Sequence, residues 1–407
     1  MTRYVEIDHV VPVPLDHDRP DGERIAVYAR EISTDPGLPW LLFLGGGPGF
    51  AAPRPLGTEG WLVRALRDYR VLLLDQRGTG RSTPVTRSVA LARGPEYVAR
   101  FRADAIVRDA ELVRHAVAGG RPWTVLGQSF GGFCTLSYLS FAPEGLRAAM
   151  ITGGLPGVGV AADEPYRALY PVVLQKNRDH YAHHPDDADT ARQVAEHLRS
   201  TVVTLPTGRR LTVEAFQSIG NVLGQHDGSA RLHRLLEAPF VGGALGDAFL
   251  FAVSDALSWA TAANPLYYLL HEATYAHATG PTGWAAQRVR AEFGEFAGAD
   301  PVCFTGEMIF PWMFDDDPLM RPLRRVADQL AERPRWPALY DLDQLRANTV
   351  PAVAAVYDTD MYVPRDLSLA TAATIPGLQV WHSTDHQHDA LRVDGERVLS
   401  HLLAVLE

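Results

Sequence analysis

The sequence has few cysteines, no long apolar run and no excess of positive charge, and each of these absences excludes a class of protein. Its two cysteines, Cys134 and Cys303, are too few for a disulfide framework or for a zinc site built from cysteine. No apolar run reaches the length that spans a bilayer. The formal net charge of −10 disfavours nucleic acid and anionic membranes as partners.

The N-terminal residues lack the pattern of a secretory signal. Met1–Asp8 mix charged and apolar side chains and contain no apolar core of the kind that signal peptides have. We therefore expect a cytoplasmic protein that neither crosses nor binds a membrane. A hydrophobic content of 46% over 407 residues is enough to bury a sizeable core. The sequence does not indicate an oligomeric state.

The first third of the chain alternates short apolar runs with helical patterns. Trp40–Leu44, Val71–Leu74 and Trp123–Leu126 are continuous apolar runs, and glycine follows each of them closely. Such runs are typical of parallel strands that are buried on both faces. Helical patterns at Glu59–Asp68 and at about Tyr97–Val117 separate them. This alternation predicts a doubly wound, mostly parallel sheet.

The alternation stops in the middle of the chain and resumes near its end. Between about residues 156 and 348, Ala- and Leu-rich helical patterns replace the strand-like runs. We therefore predict an α/β catalytic domain from residues 1–155 and 349–407, with residues 156–348 inserted as a mostly helical cap. The other predicted elements are the strands Val5–Asp16, Arg24–Ile32, Leu146–Thr152, Val350–Tyr357 and Leu378–Trp381 and the helices Phe130–Phe141, Arg365–Thr374 and Asp389–Leu406.

A candidate nucleophile lies between a predicted strand and a predicted helix. Gly127-Gln128-Ser129-Phe130-Gly131 fits the pattern G-x-S-x-G, in which a sharp turn exposes the serine hydroxyl at the edge of the sheet. Glycines flank the serine because larger side chains would collide with the neighbouring backbone. The pattern alone also occurs by chance in glycine-rich turns. In this context it predicts the α/β-hydrolase fold with Ser129 as its nucleophile.

A second glycine-rich loop provides a candidate oxyanion hole. Gly45-Gly46-Gly47-Pro48-Gly49 follows the predicted strand Trp40–Leu44, a position from which this fold takes one oxyanion donor. The backbone N–H groups of Gly46 or Gly47, together with that of Phe130, are the predicted donors. A tight structural loop is the alternative interpretation.

The base and the acid of a triad are expected after the later strands, in the order Ser, Asp, His. Asp358 and Asp360 both follow the predicted strand that ends at Tyr357, and we favour Asp360 because it lies further beyond the strand. His386 and His388 both follow the final strand, and we favour His388 because it directly precedes the closing helix. Ser129, Asp360 and His388 are the predicted triad.

With these residues identified, the sequence resembles the larger bacterial branch of the proline iminopeptidases, which are serine peptidases of the α/β-hydrolase superfamily. The resemblance covers most of the chain. The motifs that carry it are Gly45–Gly49, Asp75-Gln76-Arg77-Gly78-Thr79-Gly80-Arg81-Ser82, Gly127–Gly132, Asn264–Tyr267, His271–Tyr275, Gly306–Phe314, Asp360–Pro364 and His388–Arg392. Two positions differ from the family pattern: Gly45 stands where histidine is common, and Val363 stands where some members have cysteine.

The resemblance implies release of N-terminal proline through a serine acyl-enzyme, without a metal or another cofactor. An exopeptidase of this kind must bind a charged amine, which calls for carboxylates in a partly desolvated pocket. The family is similar in using cap glutamates, and Glu272 and Glu307 are the candidates. The aromatic side chains that would form the wall for a pyrrolidine ring are Tyr267, Tyr268, Tyr275, Phe310 and Trp312. For any one of them, ordinary packing is the alternative.

Other functions fit parts of the pattern. A carboxylesterase, a lactonase or a small-molecule amidase would use the same triad on a small ester or amide, and a binding protein would keep the scaffold without the chemistry. His271-Glu272-Ala273-Thr274-Tyr275 is not a zinc motif, because Tyr275 replaces the second histidine of H-E-x-x-H. We interpret the histidines between residues 180 and 184 as part of a solvated loop rather than as metal ligands. The expected substrate is a short peptide or a small amide or ester.

Overall fold

The computed structural model describes residues 4–55, 57, 60–259, 263–298 and 300–406. The first part of the chain alternates strands and helices, as the sequence predicts. Its elements are β1 (Val5–Pro14), β2 (Arg24–Ser33), β3 (Trp40–Leu44), α1 (Gly60–Ala65), β4 (Arg70–Asp75), α2 (Arg87–Val98), α3 (Ala103–Ala118), β5 (Trp123–Gln128), α4 (Phe130–Phe141), a 3₁₀ turn (Pro143–Gly145) and β6 (Leu146–Thr152).

The residues from 153 to 351, here called the inserted segment, are mainly helical. Its helices are α5 (Asp163–His183), α6 (Asp186–Ser200), α7 (Val213–Gln217), α8 (Gly228–Leu236), α9 (Asp247–Ala256), α10 (Pro265–Leu270), α11 (Ala285–Arg290), α12 (Pro311–Asp316), α13 (Arg324–Ala331) and α14 (Leu342–Arg346). The 3₁₀ turns are Ser218–Gly224, Glu272–Thr274, Gly294–Phe296 and Arg321–Leu323. Two antiparallel ribbons pair β7 (Val203–Thr204) with β8 (Arg210–Leu211) and β9 (Phe240–Val241) with β10 (Ala244–Leu245). The division of the chain into a catalytic domain and a cap stays a prediction.

The chain then returns to the main sheet. The last elements are β11 (Ala352–Tyr357), α15 (Arg365–Ala372), β12 (Leu378–Ser383), α16 (Ala390–Val393) and α17 (Gly395–Leu406). Among the described residues the sheet has eight strands, in the order β1-β2-β4-β3-β5-β6-β11-β12. The strands from β4 to β12 in that order are parallel, whereas β2 pairs antiparallel with both β1 and β4. The predicted α/β-hydrolase fold is therefore confirmed.

The register of the central strands brings their carboxyl ends to one edge of the sheet. Leu44 of β3 lies opposite Gly127 of β5, and Gln128 lies opposite Thr152 of β6. Thr152 in turn pairs with Ala355 of β11. The loops that follow these strands consequently start side by side, which is where ligands bind in open α/β sheets.

The core lies on both faces of the sheet. Along β3, Trp40, Leu42 and Leu44 belong to one buried apolar cluster, while Leu41 and Phe43 belong to another. This alternation explains why the strand reads as a continuous apolar run. Among the described helices, none combines the length and the apolar character needed to cross a membrane.

The helix predicted near Tyr97–Val117 is present as α3, but its predicted start is wrong, because Tyr97 and Val98 belong to the end of α2 and α3 begins at Ala103. The chain leaves α2 after Val98, and α3 begins after Arg102, whose backbone is extended. The Arg102 side chain is buried, and it donates hydrogen bonds to backbone carbonyl groups of the inserted segment. These contacts fix Arg102 at the start of α3, in an extended conformation that local helical pattern does not predict.

Several strands and α15 differ from their predicted bounds by one or two residues, and two further helices differ more. The closing helix is divided into α16 and α17, and Gly395 begins α17 against Trp61: a β-carbon at Gly395 would lie only 2.6 Å from the backbone nitrogen of Trp61. The helix expected at Glu59–Asp68 is shorter, since α1 ends at Ala65, and Glu59 lies outside the described residues.

Candidate active site

Ser129 occupies a strained turn between β5 and α4. Its φ of 53° lies in the left-handed region, which is uncommon for any residue other than glycine. The turn is held because the Ser129 N–H donates to the carbonyl oxygen of Thr152 at 3.0 Å. A side chain would clash with the neighbouring backbone at the glycine that follows in this turn, because a β-carbon on Gly131 would lie 1.9 Å from the carbonyl oxygen of Leu44. This geometry projects the hydroxyl from the edge of the sheet.

His388 connects Ser129 to Asp360. Its Nε2 lies 2.9 Å from the Ser129 hydroxyl oxygen, and its Nδ1 lies 2.8 Å from one carboxylate oxygen of Asp360. A carboxylate only accepts hydrogen bonds, so the hydrogen is assigned to Nδ1, which leaves Nε2 to accept from the serine hydroxyl. The arrangement is that of a nucleophile, a base and an orienting acid.

The buried carboxylate of Asp360 is fully engaged. Its second oxygen accepts backbone hydrogen bonds from Tyr362 at 2.8 Å and from Val363 at 3.1 Å. Burial by itself lowers the pKa of His388, but the charge of Asp360 and its hydrogen bond, with a further contribution from Glu307, raise that pKa above its ordinary value. The imidazolium that forms when His388 accepts a proton is therefore stabilised.

The two alternative residues lie elsewhere. Asp358 pairs with His382 and lies 3.6 Å from Arg365. The Nδ1 of His386 is 2.9 Å from the Ser383 hydroxyl, and its Nε2 is 3.2 Å from Asp394. The sequence placed all four residues after the correct strands, but the choice between neighbours depends on contacts that only the folded chain supplies.

The candidate oxyanion loop packs directly against the nucleophile. A β-carbon on Gly46 would lie 3.1 Å from the Ser129 β-carbon, so only the backbone fits at this position. Gly47 lines the same pocket as His388. Phe130 begins α4, where the first backbone N–H groups of a helix point towards its N-terminal end. The three predicted donor residues thus all lie close to Ser129 or to the pocket beside it.

The motif that starts at Asp75 supports that loop, a role that the sequence analysis did not assign. The Gln76 side-chain amide donates to the carbonyl oxygen of Gly45 at 3.0 Å. The Asp75 carboxylate accepts backbone hydrogen bonds from Ala52 at 2.9 Å and from Arg81 at 2.8 Å. The sequence alone did not indicate this role, because it depends on the pairing of β4 with β3 in the folded sheet.

A pocket of about 810 Å³ opens next to His388. Its lining includes Gly47, Phe50, Trp61, Gln128, Asn221, Gln225, Trp259, Tyr267, Glu307, Tyr362, His388, Asp389 and Arg392. The ring of Tyr362 stacks on His388 with the centroids 4.4 Å apart, which the sequence analysis did not anticipate. Residues of the inserted segment thus form one wall of the site.

The predicted amine-binding residues are not all in this pocket. Glu307 lines it, is half-buried and accepts a hydrogen bond from the Tyr267 hydroxyl. Glu272 instead lines a smaller cavity of about 20 Å³ and accepts a hydrogen bond from the Ala286 N–H at 3.0 Å, at the start of α11. Burial raises the pKa of Glu272, and this backbone hydrogen bond offsets part of the shift.

Tyr275 is half-buried among other aromatic side chains. Its ring packs against Phe133 and Tyr166, with centroid separations of 5.9 Å and 5.7 Å. Burial first, and then the charges of Glu307 and Asp360, raise the pKa of Tyr275, so its hydroxyl stays protonated. The structure therefore brings Glu307 into the pocket beside His388 and places Glu272 in a different cavity.

The predicted loop at the histidines between residues 180 and 184 is wrong, because residues 180–183 form the end of α5, although His183 is exposed to solvent as expected. His180 is only 1% exposed at the end of α5, and Asp187 is 4% exposed at the start of α6. Donor atoms of His184, Asp187 and His233 lie within 4.8 Å of one another. The Asp187 carboxylate accepts a hydrogen bond from His233 Nδ1 at 3.1 Å, which gives this buried acid a partner.

Comparisons with known proteins show which family this chain is similar to. Residues 39–253 match the family described as the alpha/beta hydrolase fold. The chain is 46% identical over 406 residues to the proline iminopeptidase of Aeromonas sobria, covering 97% of this chain and 95% of that protein. It is 35% identical to the proline iminopeptidase aneH of Aspergillus aculeatus, covering 97% and 92% of the two chains. The crystal structure of a proline iminopeptidase from Mycobacterium smegmatis is more distant, with 15% identity, a TM-score of 0.46 and coverage of 98% and 97%.

Proposed function

This chain belongs to the proline iminopeptidase family of α/β hydrolases, and we propose that it is a serine exopeptidase that releases N-terminal proline from short peptides. The observation that carries the proposal is the presence of Glu307 in the same pocket as His388. A free N-terminal amine is cationic at neutral pH, and a partly desolvated cation needs an anionic partner. A pocket built only for neutral esters or amides would not need this carboxylate.

In the proposed reaction, Ser129 attacks the carbonyl carbon of the N-terminal residue. His388 takes the hydroxyl proton through Nε2, and Asp360 stabilises the imidazolium through the bond to Nδ1. The imidazolium then gives that proton to the leaving nitrogen as the peptide bond breaks. Water hydrolyses the resulting prolyl ester of Ser129 with the same histidine as base.

The negative charge on the carbonyl oxygen would be stabilised by backbone N–H groups of Gly46 or Gly47 and of Phe130. Removing one donor of this kind typically raises a reaction barrier by about 3 kcal/mol. The close approach of Gly46 to Ser129 supports this role, because no side chain separates its backbone from the reacting atoms.

Glu307 is the proposed acceptor for the amine, and Tyr267 orients it by donating to its carboxylate. Glu272 remains the sequence-based candidate for a second carboxylate, and Tyr275 remains a candidate for the wall that receives the proline ring. We further propose a cytoplasmic location, in keeping with a net charge of −10 and a substrate that is a short peptide.

The proposal is tested by digesting a peptide with N-terminal proline and identifying the products by mass spectrometry. We expect free proline and a peptide shortened by one residue, with no cleavage when the amine is acetylated. Ser129→Ala is the control, and it should abolish product formation. Cleavage of the acetylated peptide, or hydrolysis of simple acyl esters without any release of proline, would instead support the esterase or amidase alternative.

A further inference from the structure

Lys176 is the only lysine among the 407 residues of this chain. It lies on α5 in the inserted segment, where it is half-buried. Its ammonium donates to the Gln387 side-chain oxygen at 2.6 Å and to the Thr359 hydroxyl oxygen at 3.1 Å. Thr359 and Gln387 are themselves hydrogen-bonded at 3.2 Å. A single cation therefore joins two loops that come from different strands.

These two loops carry the acid and the base of the candidate triad. Thr359 directly precedes Asp360 after β11, and Gln387 directly precedes His388 after β12. A shift of either loop would lengthen the bond between His388 and Asp360, which is 2.8 Å here. Misplacement of a reacting group by about 1 Å is enough to lower a rate by about 100-fold. The position of the two loops therefore affects the reaction rate as well as the structure of the site.

The type of side chain suits the contact. Two oxygens that lie 3.2 Å apart converge on one point, and a compact ammonium donates to both. A guanidinium spreads its donors over a planar fork, which matches a carboxylate better than two separate oxygens. Arginine occupies every other position at which the chain has a lysine or an arginine, so Lys176 is the exception.

We propose that Lys176 is a positioning residue of the catalytic site, which fixes the Asp360 loop to the His388 loop from the inserted segment. The inference rests on the proposed function, because it assumes that Ser129, His388 and Asp360 are catalytic. Lys176 itself is not among the residues that line the pocket beside His388. Its contribution is to hold the geometry and to place a positive charge beside the triad.

The positive charge of Lys176 makes its positioning role detectable in the pH dependence of the reaction rate. Burial lowers the pKa of Lys176, and the negative charges of Asp360 and Asp179 oppose that shift. At His388 the charges of Asp360, Glu307 and Asp389 favour the imidazolium. A nearby cation disfavours the imidazolium, so removal of the ammonium should raise the pKa of His388. The acidic limb of the rate profile would then move to higher pH, which a loss of packing alone would not produce.

The test compares Lys176→Met and Lys176→Arg with the control Arg178→Met. Each variant is assayed for hydrolysis of a prolyl arylamide. The rate at which Ser129 reacts with a fluorophosphonate is measured as well. Arg178 is a matched control because its guanidinium hydrogen-bonds to Gln175 on the same helix. We expect Lys176→Met to lower kcat and the fluorophosphonate rate by about tenfold or more, with KM changed by less than about twofold. In Lys176→Met, the acidic limb of the pH–rate profile should move to higher pH by roughly 0.3–1 pH unit. Lys176→Arg should be intermediate and Arg178→Met unchanged.

Chemical rescue covers the case in which Lys176→Met folds poorly. Lys176→Cys can be alkylated with bromoethylamine, which restores an ammonium on a side chain of similar length, or with bromoethane, which does not. Cys134 and Cys303 are buried, and wild-type protein treated in parallel controls for their alkylation. We expect activity to return with the aminoethyl group and not with the ethyl group.

The outcomes separate the two proposals. Equal kcat, pH profile and fluorophosphonate rate in Lys176→Met and wild type would overturn the positioning role and leave the serine hydrolase function intact. Equal rescue by the two alkyl groups would also overturn it. A wild-type protein that neither reacts with the fluorophosphonate nor releases proline would refute the proposed function, and the role of Lys176 with it.

Discussion

Replacement of Glu307 by glutamine separates binding of the amine from the chemistry at Ser129. The glutamine keeps the size of the side chain and can still accept from the Tyr267 hydroxyl, but it carries no charge. Because Glu307 lines the pocket beside His388 and is half-buried, its ion pair with a substrate amine would be only partly screened by water.

The size of the effect follows from the loss of one charge-assisted hydrogen bond. Such a bond contributes about 1.5–3 kcal/mol, which corresponds to a fall in kcat/KM of roughly 10- to 150-fold for a prolyl arylamide with a free amine. A neutral acyl ester has no cation to lose, so its kcat/KM should change by less than about threefold at a pH well above the pKa of His388.

The pH dependence of Glu307→Gln provides a second readout. The negative charge of Glu307 helps to raise the pKa of His388, so neutralising it should lower that pKa. The acidic limb of kcat/KM for the neutral ester should therefore move to lower pH. Glu272→Gln is measured in parallel, because it removes the other candidate carboxylate, which lines a different cavity, and shows whether that residue also contributes to amine binding. Equal losses on the amine substrate and the ester in Glu307→Gln would refute the amine-binding role.

Three further predictions concern the triad and the fold. Asp360→Asn should lower kcat by about 10⁴-fold in the arylamide assay, since an amide favours the wrong imidazole tautomer; a fall below tenfold would contradict the triad. For the wild type, kcat/KM should fall as the pH drops through a His388 pKa above its ordinary value, and a profile flat from pH 5 to 8 would contradict the base. Arg77→Met should lower the free energy of unfolding in urea by about 3–5 kcal/mol, because it leaves the buried Asp109 without the guanidinium that lies 2.6 Å away; unchanged stability would contradict this account of the ion pair.

The sequence was most informative where physical constraints act on a few adjacent residues. Strand β3 and helix α4 have the predicted bounds, because a strand buried on both faces must be apolar throughout and a strained turn must be flanked by glycine. The same constraints identified Ser129. Asp360 and His388 could be placed after the correct strands because the order of a triad along this fold is fixed by its topology.

Contacts between distant parts of the chain account for what the sequence did not predict. Helix α3 starts directly after Arg102, whose buried side chain donates to carbonyl groups of the inserted segment that are far away in the sequence. Glu272 and Glu307 have similar apolar surroundings in the sequence, but only Glu307 reaches the pocket beside His388. The support of Gly45 by Gln76 joins two loops, and no local pattern encodes such a bond.

The most direct test of the central claim is the ratio of kcat/KM for a prolyl arylamide to kcat/KM for the same compound with its amine acetylated, measured on wild-type protein. The account predicts a ratio of at least about 100, because acetylation removes the cation that Glu307 binds and the site is built to pair it. It also predicts that Ser129→Ala abolishes both rates. A ratio near one, with both rates lost in Ser129→Ala, would contradict the exopeptidase function while leaving the triad in place.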